Sequence, residues 1–320
     1  MTSPSRPEHS PVTFPTLSQD FLMRRLAYPA QGRLRVVIDT DTYNEIDDQF
    51  AVTYALLSPE RLSVEAIYAA PFTNDRSSGP GDGMQKSYDE ILRLLARLHV
   101  PSEGLVYHGS TEYQTGRAEP ERSPAALDLI ERAMASPEDS PLYVLAIGAI
   151  TNVASAMLIE PEIIQHMVVV WLGGNPVAVP QVSEFNLMQD PRASALMFDS
   201  GLPLVQVPCL GVASHLLTTQ SELDQAIRGR NAISDFLYER FVSYASDHFA
   251  WAKEIWDIST VAYLLNPNWL PTHLQPAPLL TEDLHYLPTP PGRHPIRVAW
   301  YLYRNPIFRD LFTKLQQVQD

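Results

Sequence analysis

The chain has 320 residues, of which 45% are hydrophobic, and this is enough to bury one large core or two smaller ones. Its 37 acidic and 23 basic side chains give a net charge of −14. Because there is no run rich in Lys and Arg, the composition argues against nucleic acid or an anionic membrane as a partner. An acidic balance of this kind suits a protein that concentrates a cation.

Cys209 is the only cysteine, which excludes an intrachain disulfide and a metal site built from thiolates. It lies between the apolar residues Val207 and Leu210, and we expect it to be a buried core thiol. Residues 1–25 lack the charged start and apolar core of a secretory signal. No apolar run approaches the roughly 18 residues of a membrane span. We therefore expect a cytoplasmic protein that does not cross a membrane.

Five prolines within residues 1–30 predict an extended or mobile arm. We place the arm at residues 1–32 and a single domain at 33–320. Within that domain, short apolar strand patterns alternate with helical spacing. Strands are predicted at 34–38, 64–70, 142–147, 167–172, 204–207 and 296–302, and helices at 48–57, 84–98, 151–158, 191–198, 221–244 and 308–318. The Pro-rich residues 266–295 are predicted to form loops and an edge hairpin.

This alternation predicts an α/β fold with an open, mostly parallel (mixed) sheet flanked by helices. In such a sheet, ligands bind beyond the carboxyl ends of the strands. Polar or glycine residues follow four of the predicted strands, namely Asp41, Asn74, Gly148 and Asn175. We expect these strand ends to meet at one polar rim.

The strand at 34–38 runs into four aspartates within ten residues, Asp39, Asp41, Asp47 and Asp48. Carboxylates crowded in this way repel one another unless a cation lies among them or some are protonated. One or two of them would be ordinary turn or helix-cap residues. Four aspartates directly after an apolar strand favour a hard divalent ion, Ca²⁺ or Mg²⁺, over zinc.

Three other short patterns accompany the acidic cluster. Glu184 and Asn186, two residues apart and followed by Asp190, place an acceptor beside a mixed donor and acceptor, which suits sugar hydroxyls. The pair Thr151-Asn152 follows a strand and a turn, where either residue is equally well explained as a helix cap. The pair Trp256-Asp257 follows an aromatic-rich helical segment, and a lone Asp there is usually a cap.

In this order the patterns resemble one family, the inosine–uridine preferring nucleoside hydrolases, over residues 34–318. Members of that family carry a strand ending D-x-D followed by D-D, then a Thr-Asn turn, an E-F-N segment with D-P after it, and a late Asp preceded by His or an aromatic residue. The matching residues here are Asp39, Asp41, Asp47, Asp48, Thr151, Asn152, Glu184, Phe185, Asn186, Asp190, Pro191, Trp256 and Asp257. The resemblance implies the Rossmann-like nucleoside hydrolase fold.

The resemblance implies a Ca²⁺ held by Asp41, Asp48, Asp257 and the backbone carbonyl of Ile147. Asp41 would also take the proton from a water that the ion holds, so it is the expected catalytic base. The reaction would cleave the N-glycosidic bond of a ribonucleoside to free base and ribose through an oxocarbenium-like state. The implied substrate-binding residues are Asp47, Asn74, Asn175, Glu184, Asn186 and Trp256.

Two departures from the family pattern bear on the substrate. Five residues separate Asp41 from Asp47 where the family usually has three, so Asn44 or Glu45 is a candidate for the site. Trp256 stands where many members have a His that protonates the departing base. An indole face stacks on a base instead, which indicates a preference for purine nucleosides. Tyr244 and His248 are then the candidate contacts to the leaving group.

Two other functions remain open from the sequence. A phosphatase using Asp39 as nucleophile also begins with D-x-D after a strand, but position 43 is Tyr where such sites want Thr or Val. A non-catalytic protein that binds Ca²⁺ and a nucleoside would explain the unusual loop and the missing His. The resemblance further implies a homodimer or homotetramer with a small nucleoside as substrate, whereas the composition argues against a nucleic acid partner.

Overall fold

The computed structural model describes residues 12–29, 31–179 and 182–320. Within these ranges the strands are β1 Leu34–Thr40, β2 Leu62–Ala69, β3 Val106–His108, β4 Leu142–Ala146, β5 Met167–Leu172, β6 Leu204–Val207, β7 Leu217–Thr218, β8 Lys253–Glu254, β9 Thr272–Pro276, β10 Leu279–Leu280, β11 Tyr286–Leu287 and β12 Pro295–Ala299. The helices are α1 Gln19–Arg25, α2 Ile46–Leu56, α3 Pro80–Arg97, α4 Pro124–Met134, α5 Thr151–Ile159, α6 Phe185–Gln189, α7 Pro191–Asp199, α8 Gln220–Ala226, α9 Ala232–Val242, α10 Ile258–Leu265 and α11 Arg304–Gln317.

In the described residues, the main sheet has the order β3-β2-β1-β4-β5-β6-β12-β9. Its strand pairs are parallel except for β9, which runs antiparallel to β12 at the edge. The predicted mostly parallel, mixed α/β sheet is therefore confirmed. The carboxyl ends of β1, β2, β4, β5 and β6 meet at one edge, as the polar residues after the predicted strands indicated.

Two apolar cores cover the two faces of this sheet. Along β5, Val168 and Val170 pack into one core, whereas Val169 and Trp171 pack into the other. Successive strand residues point to opposite faces, so a strand buried on both faces must be apolar throughout. This explains why 142–147 and 167–172 were recognisable as central strands from their sequence.

Several elements differ from the sequence prediction. Strand β3 and helix α4 were not predicted; β3 is three half-buried residues long, and α4 begins at a Ser123 cap that accepts a hydrogen bond from the Ala126 N–H. The predicted helix at 221–244 is divided into α8 and α9. The division follows from Gly229, whose φ of +68° breaks the helix, and from Asn231, which caps α9.

The prediction of an extended or mobile arm is wrong for residues 19–25, which form helix α1. Ser18 caps this helix by accepting a hydrogen bond from the Phe21 N–H, and Leu22 and Leu26 are buried. The Arg25 guanidinium donates hydrogen bonds to the carbonyl oxygens of Glu138 and Gln165. The apolar residues of the segment therefore fix it to the domain despite its prolines, and residues 1–11 of the predicted arm lie outside the described residues.

No helix among the described residues is long and apolar enough to cross a membrane.

Candidate active site

A cavity of about 380 Å³ opens at the carboxyl edge of the sheet. Its size falls within the range of small-molecule sites, roughly 300–1,000 Å³. The predicted site residues that line it are Asp41, Asp47, Asp48, Ile147, Asn175, Glu184, Asn186, Trp256 and Asp257. These residues come from five separate segments of the chain, and the sheet brings them together because its parallel strands end at the same edge.

Buried carboxylates form the floor of the cavity. Asp47, Asp48 and Asp257 each place a carboxylate oxygen within 4.8 Å of the others, which is close enough for one ion to touch all three. Both carboxylate oxygens of Asp41 are buried without a hydrogen-bond partner among the described residues. The carboxyl of Asp48 lies beside those of Asp41 and Asp257. Unpartnered buried oxygens in this number fit a hard divalent cation.

The electrostatics of this floor favour a positive charge beside it. Burial, and then the negative charges of its neighbours, hold the pKa of Asp41 well above its usual range, and the same causes act on Asp47 and Asp257. Burial raises the pKa of Asp48 to about 7 although the hydrogen bond from Thr40 opposes that shift. A bound cation would reverse these shifts by favouring the ionised forms.

Short contacts hold the metal-side residues in place. The Thr40 hydroxyl donates a 2.5 Å hydrogen bond to Oδ1 of Asp48 across the turn between β1 and α2. A methyl group at Gly148 would lie 3.0 Å from the Asp41 backbone nitrogen and 3.2 Å from its Cβ. The chain at residue 148 therefore packs this closely against Asp41 only because that residue has no side chain.

Thr151 and Asn152 do not cap α5, so that interpretation is wrong. Asn152 instead donates a 2.8 Å hydrogen bond to Oδ1 of Asp39, and Thr151 donates one of 2.8 Å to Oδ2 of Asp190. Asp190 is fully buried and also accepts hydrogen bonds from the backbone N–H groups of Gln114 and Thr115. Both residues therefore cross-link segments around the cavity rather than line it.

The Glu184 segment also lines the cavity. The Glu184 carboxylate caps α6 and accepts hydrogen bonds from the N–H groups of Gly174, Asn186 and Leu187. Burial raises its pKa, and these three hydrogen bonds oppose the shift. The Asn186 Nδ2 donates to the carbonyl of Ile147 at 3.2 Å, so this amide also orients a predicted metal ligand.

The longer loop between Asp41 and Asp47 contributes Asn44 and Glu45 to the cavity lining. The Asn44 side chain accepts a 2.7 Å hydrogen bond from Nδ2 of Asn74, and its carbonyl accepts one of 2.9 Å from Arg76. Asn74 itself does not line the cavity, so in this structure it supports the loop rather than facing a ligand.

Lys253 adds a positive charge behind this loop. Its ammonium lies 2.5 Å from a Glu45 carboxylate oxygen and 4.9 Å from the centre of the Trp256 ring. Burial lowers the pKa of Lys253, but the charges of Asp47 and Glu45 outweigh it and hold the pKa above its usual value. The sequence did not indicate Lys253 because Glu45 lies far from it along the chain and Trp256 was assigned to the substrate.

The structure does not bring Tyr244 and His248 into the cavity lining. The Tyr244 hydroxyl accepts a 2.8 Å hydrogen bond from Arg76, and His248 contacts the Val242 carbonyl at 3.1 Å. Cys209, expected in the core, is half-buried and lines the cavity. Its position follows from β6, which ends at Val207 on the same edge of the sheet.

Comparisons with known proteins agree with this geometry. A family model described as inosine-uridine preferring nucleoside hydrolase matches residues 36–282. The non-specific ribonucleoside hydrolase RihC of Salmonella schwarzengrund (strain CVM19633) is 25% identical over 249 residues, which cover 73% of this chain and 79% of that protein. The pyrimidine-specific ribonucleoside hydrolase RihA of Enterobacter sp. (strain 638) is 25% identical over 263 residues, covering 75% of this chain and 81% of RihA.

Solved structures with the same fold include two further proteins of this kind. A plant nucleoside hydrolase, PpNRh1, aligns over 89% of this chain and 99% of its own with a TM-score of 0.67 and 21% identity. A purine-preferring ribonucleoside hydrolase from Gardnerella vaginalis aligns over 89% of this chain and 98% of its own, with a TM-score of 0.69 and 19% identity. At these identities the structures establish the fold alone.

Proposed function

The chain belongs to the inosine-uridine preferring nucleoside hydrolase family and is a nucleoside hydrolase, and from that premise we propose how its residues divide the reaction. Asp41 is the catalytic base, and Asp41, Asp48, Asp257 and the Ile147 carbonyl hold one Ca²⁺. The observation that carries this assignment is the pair of buried, unpartnered Asp41 oxygens beside two further buried carboxylates.

A divalent cation held by these residues would supply the positive charge that makes a nearby water more acidic. Asp41 accepts the proton as the water attacks the anomeric carbon. The carboxylates of the floor stabilise the positive charge that develops on the sugar ring. Because the floor is buried, each of these charges acts in a medium of low polarity, where it is worth more than in water.

The sugar lies between the acidic floor and the Glu184 segment. Asp47, with one unpartnered buried oxygen, accepts from a ribose hydroxyl. Asn175, Glu184 and Asn186 also line the cavity, where they offer acceptors and an amide to the remaining hydroxyls. Asn74 acts on the sugar only through Asn44.

The base packs on Trp256, whose ring lines the cavity, and this favours the larger face of a purine. Relatives with non-specific and with pyrimidine-specific names are both about equally similar to the chain, so the preference rests on Trp256 alone. Neither Tyr244 nor His248 lines the cavity, so neither contacts the leaving base in this proposal.

The phosphatase alternative has little support from the site. Asp39, its required nucleophile, is fully buried, bonded to Asn152, and not part of the cavity lining. A nucleophile must reach the phosphorus atom of its substrate, and this carboxylate has no open path to one. Measurement of nucleoside turnover distinguishes an enzyme from a protein that only binds Ca²⁺ and a nucleoside.

The test is release of reducing sugar from inosine, adenosine, guanosine and uridine, with Ca²⁺ and after exhaustive chelation. We expect ribose from the purine nucleosides, loss of activity on chelation, and recovery with Ca²⁺ in preference to Zn²⁺. Binding of ribose without turnover of any nucleoside would contradict the proposal. Light scattering on the same preparation tests the expected homodimer or homotetramer, and fractionation of the source cells tests the cytoplasmic location.

A further inference from the structure

The groups in the cavity lining that can carry a proton are carboxyls and the Cys209 thiol rather than a histidine. Among the described residues that line it, there is no His, Tyr, Lys or Arg. A neutral purine or pyrimidine leaves as an anion unless a general acid protonates a ring nitrogen. The two residues that sequence reasoning offered for that task point elsewhere, with Tyr244 bonded to Arg76 and His248 to a backbone carbonyl.

The same lining is strongly acidic beyond the metal-side carboxylates. Glu45 comes from the lengthened loop and Glu254 from the strand β8 that precedes Trp256, and both line the cavity. Lys253 neutralises Glu45 by a close ion pair. The carboxylate of Glu254 accepts no hydrogen bond and forms no ion pair within the described part of the chain, and its charge acts on the same Lys253 ammonium. One ammonium therefore faces two glutamates, which leaves this part of the lining with a net negative charge.

Trp256 supplies a second feature that favours positive charge. The face of an indole ring attracts cations, and here the Lys253 ammonium already lies 4.9 Å from the ring centre. An aromatic cation stacked on the cavity side of this ring would gain the same attraction. The cation would also lie in the same cavity as the Glu254 carboxylate, whose negative charge would attract it.

We propose that the preferred substrates of this site are ribosides whose heteroaromatic base carries a fixed positive charge, such as an N7-alkylated purine or an N-linked pyridinium. This inference rests on the proposed function, since it concerns the leaving group of the same reaction. The lack of His, Tyr, Lys and Arg among the described lining residues and the negative charge of Glu45 and Glu254 are then two parts of one arrangement. A cationic base needs no proton to leave, and the two glutamates attract its positive charge.

The bond changes balance without a general acid. A bond forms between the water oxygen and the anomeric carbon, and the bond from that carbon to the ring nitrogen breaks. The electron pair of the broken bond passes to the ring nitrogen and cancels its positive charge. The water proton goes to Asp41, and the products are ribose and a neutral base.

Three substrates separate charge from leaving ability: guanosine, 7-methylguanosine, and p-nitrophenyl ribofuranoside, whose leaving group is uncharged in the substrate and departs without an acid. With the Ca²⁺-loaded protein we expect 7-methylguanosine to have the highest kcat/KM and a KM about tenfold below that of the other two. A tenfold effect corresponds to about 1.4 kcal/mol, the scale of one screened charge pair.

The variants Glu254→Gln and Glu45→Gln remove the charge but keep the shape of the side chain. The measured quantity is the ratio of kcat/KM for 7-methylguanosine to that for guanosine, because the higher intrinsic lability of the methylated substrate cancels between variants. We expect the ratio to fall about tenfold in Glu254→Gln and also to fall in Glu45→Gln. The matched control Glu239→Gln changes an exposed residue of α9 and should leave the ratio as it is.

A ratio unaltered in both cavity variants, or a kcat/KM for guanosine that equals or exceeds that for 7-methylguanosine, would overturn the inference. Hydrolysis of the p-nitrophenyl riboside without hydrolysis of 7-methylguanosine would also overturn it while leaving the nucleoside hydrolase intact. If no riboside yields ribose in the presence of Ca²⁺, the proposed function fails together with the inference.

Discussion

Asn152 donates a 2.8 Å hydrogen bond from its side-chain amide to the buried carboxylate of Asp39, and thereby ties the start of α5 to the end of β1. Burial raises the pKa of Asp39 to about 7, and the Asn152 hydrogen bond opposes that shift. Asp39 precedes the proposed catalytic base Asp41 by two residues, so this contact fixes where the chain leaves the sheet and enters the site.

Replacing Asn152 by Ala is expected to lower both stability and activity. The substitution leaves Asp39 buried without its donor, and an unpaired buried polar group costs about 1–3 kcal/mol. Denaturant unfolding measures the loss of stability, and kcat should fall by about tenfold because Asp41 is less well placed. The control Asn268→Ala changes an exposed residue and should alter neither quantity. Equal stability of the two variants would contradict the role given to Asn152.

Replacing Asp41 by Asn is expected to reduce kcat by about 10³-fold, which is the usual scale for loss of a positioned base. The amide keeps the shape of the side chain but accepts a proton poorly, so circular dichroism should still report a folded protein. The matched control is Asp224→Asn, which alters a surface ion pair with Arg228. A variant at position 41 that keeps more than a tenth of the activity would show that another residue is the base.

Removal of the divalent ion should make stability depend on pH in a defined direction. The folded-state pKa values of Asp39 and Asp48 are raised to about 7, above the value of an exposed Asp. Their protonated forms therefore favour the folded state, and the stability of the ion-free protein is lost as the pH rises from about 4 through about 7. We expect the Tm of the chelated protein to fall over this interval.

Adding Ca²⁺ should reverse that loss, with the largest rise in Tm above pH 7, where the carboxylates must ionise. Each kcal/mol gained shifts the Tm of a large domain by about 2 °C. The control is Asp48→Asn, in which the response to Ca²⁺ should be much smaller. A response to Ca²⁺ that is the same at pH 5 and pH 8 would contradict the carboxylate site.

The variants His248→Gln and Tyr244→Phe are expected to keep kcat within about twofold, the range of substitutions away from a site. Neither side chain lines the cavity, and each already has a partner outside it. Steady-state kinetics with a neutral purine nucleoside are the measurement. A fall of a hundredfold in either variant, together with loss of the alkaline or acidic limb of its pH profile, would identify that residue as the leaving-group acid.

The sheet and the acidic floor were both predictable from the sequence because each has a recognisable local pattern. A strand buried on both faces must be apolar along its whole length, as Met167–Leu172 is, so it stands out against its surroundings. The cluster from Asp39 to Asp48 stands out because like charges at a strand end require compensation. The short strand β3 and the N-terminal helix carry weaker patterns, and their place is set by packing against the rest of the domain.

Contacts between distant residues decided the remaining features. Thr151 and Asn152 resemble helix caps in the local sequence, but their side chains find carboxylates from β1 and from the start of α7 instead. The apolar neighbours of Cys209 predict a core residue, but the turn after β6 places Cys209 in the cavity lining. Hydrophobic periodicity shows which faces of an element are apolar. It does not show which polar side chains from distant segments will form hydrogen bonds with one another.

The sequence by itself determined the fold class, the family and the carboxylates that gather at the sheet edge, because each depends on local pattern or on matched residues. Only the tertiary structure decided what surrounds the departing base. It placed Glu45 and Glu254 in the cavity lining with Trp256, and it paired Lys253 with Glu45. It left Tyr244 and His248 outside the lining. The reason is physical: charge and proton supply in a cavity depend on distances between segments that the order of residues does not specify.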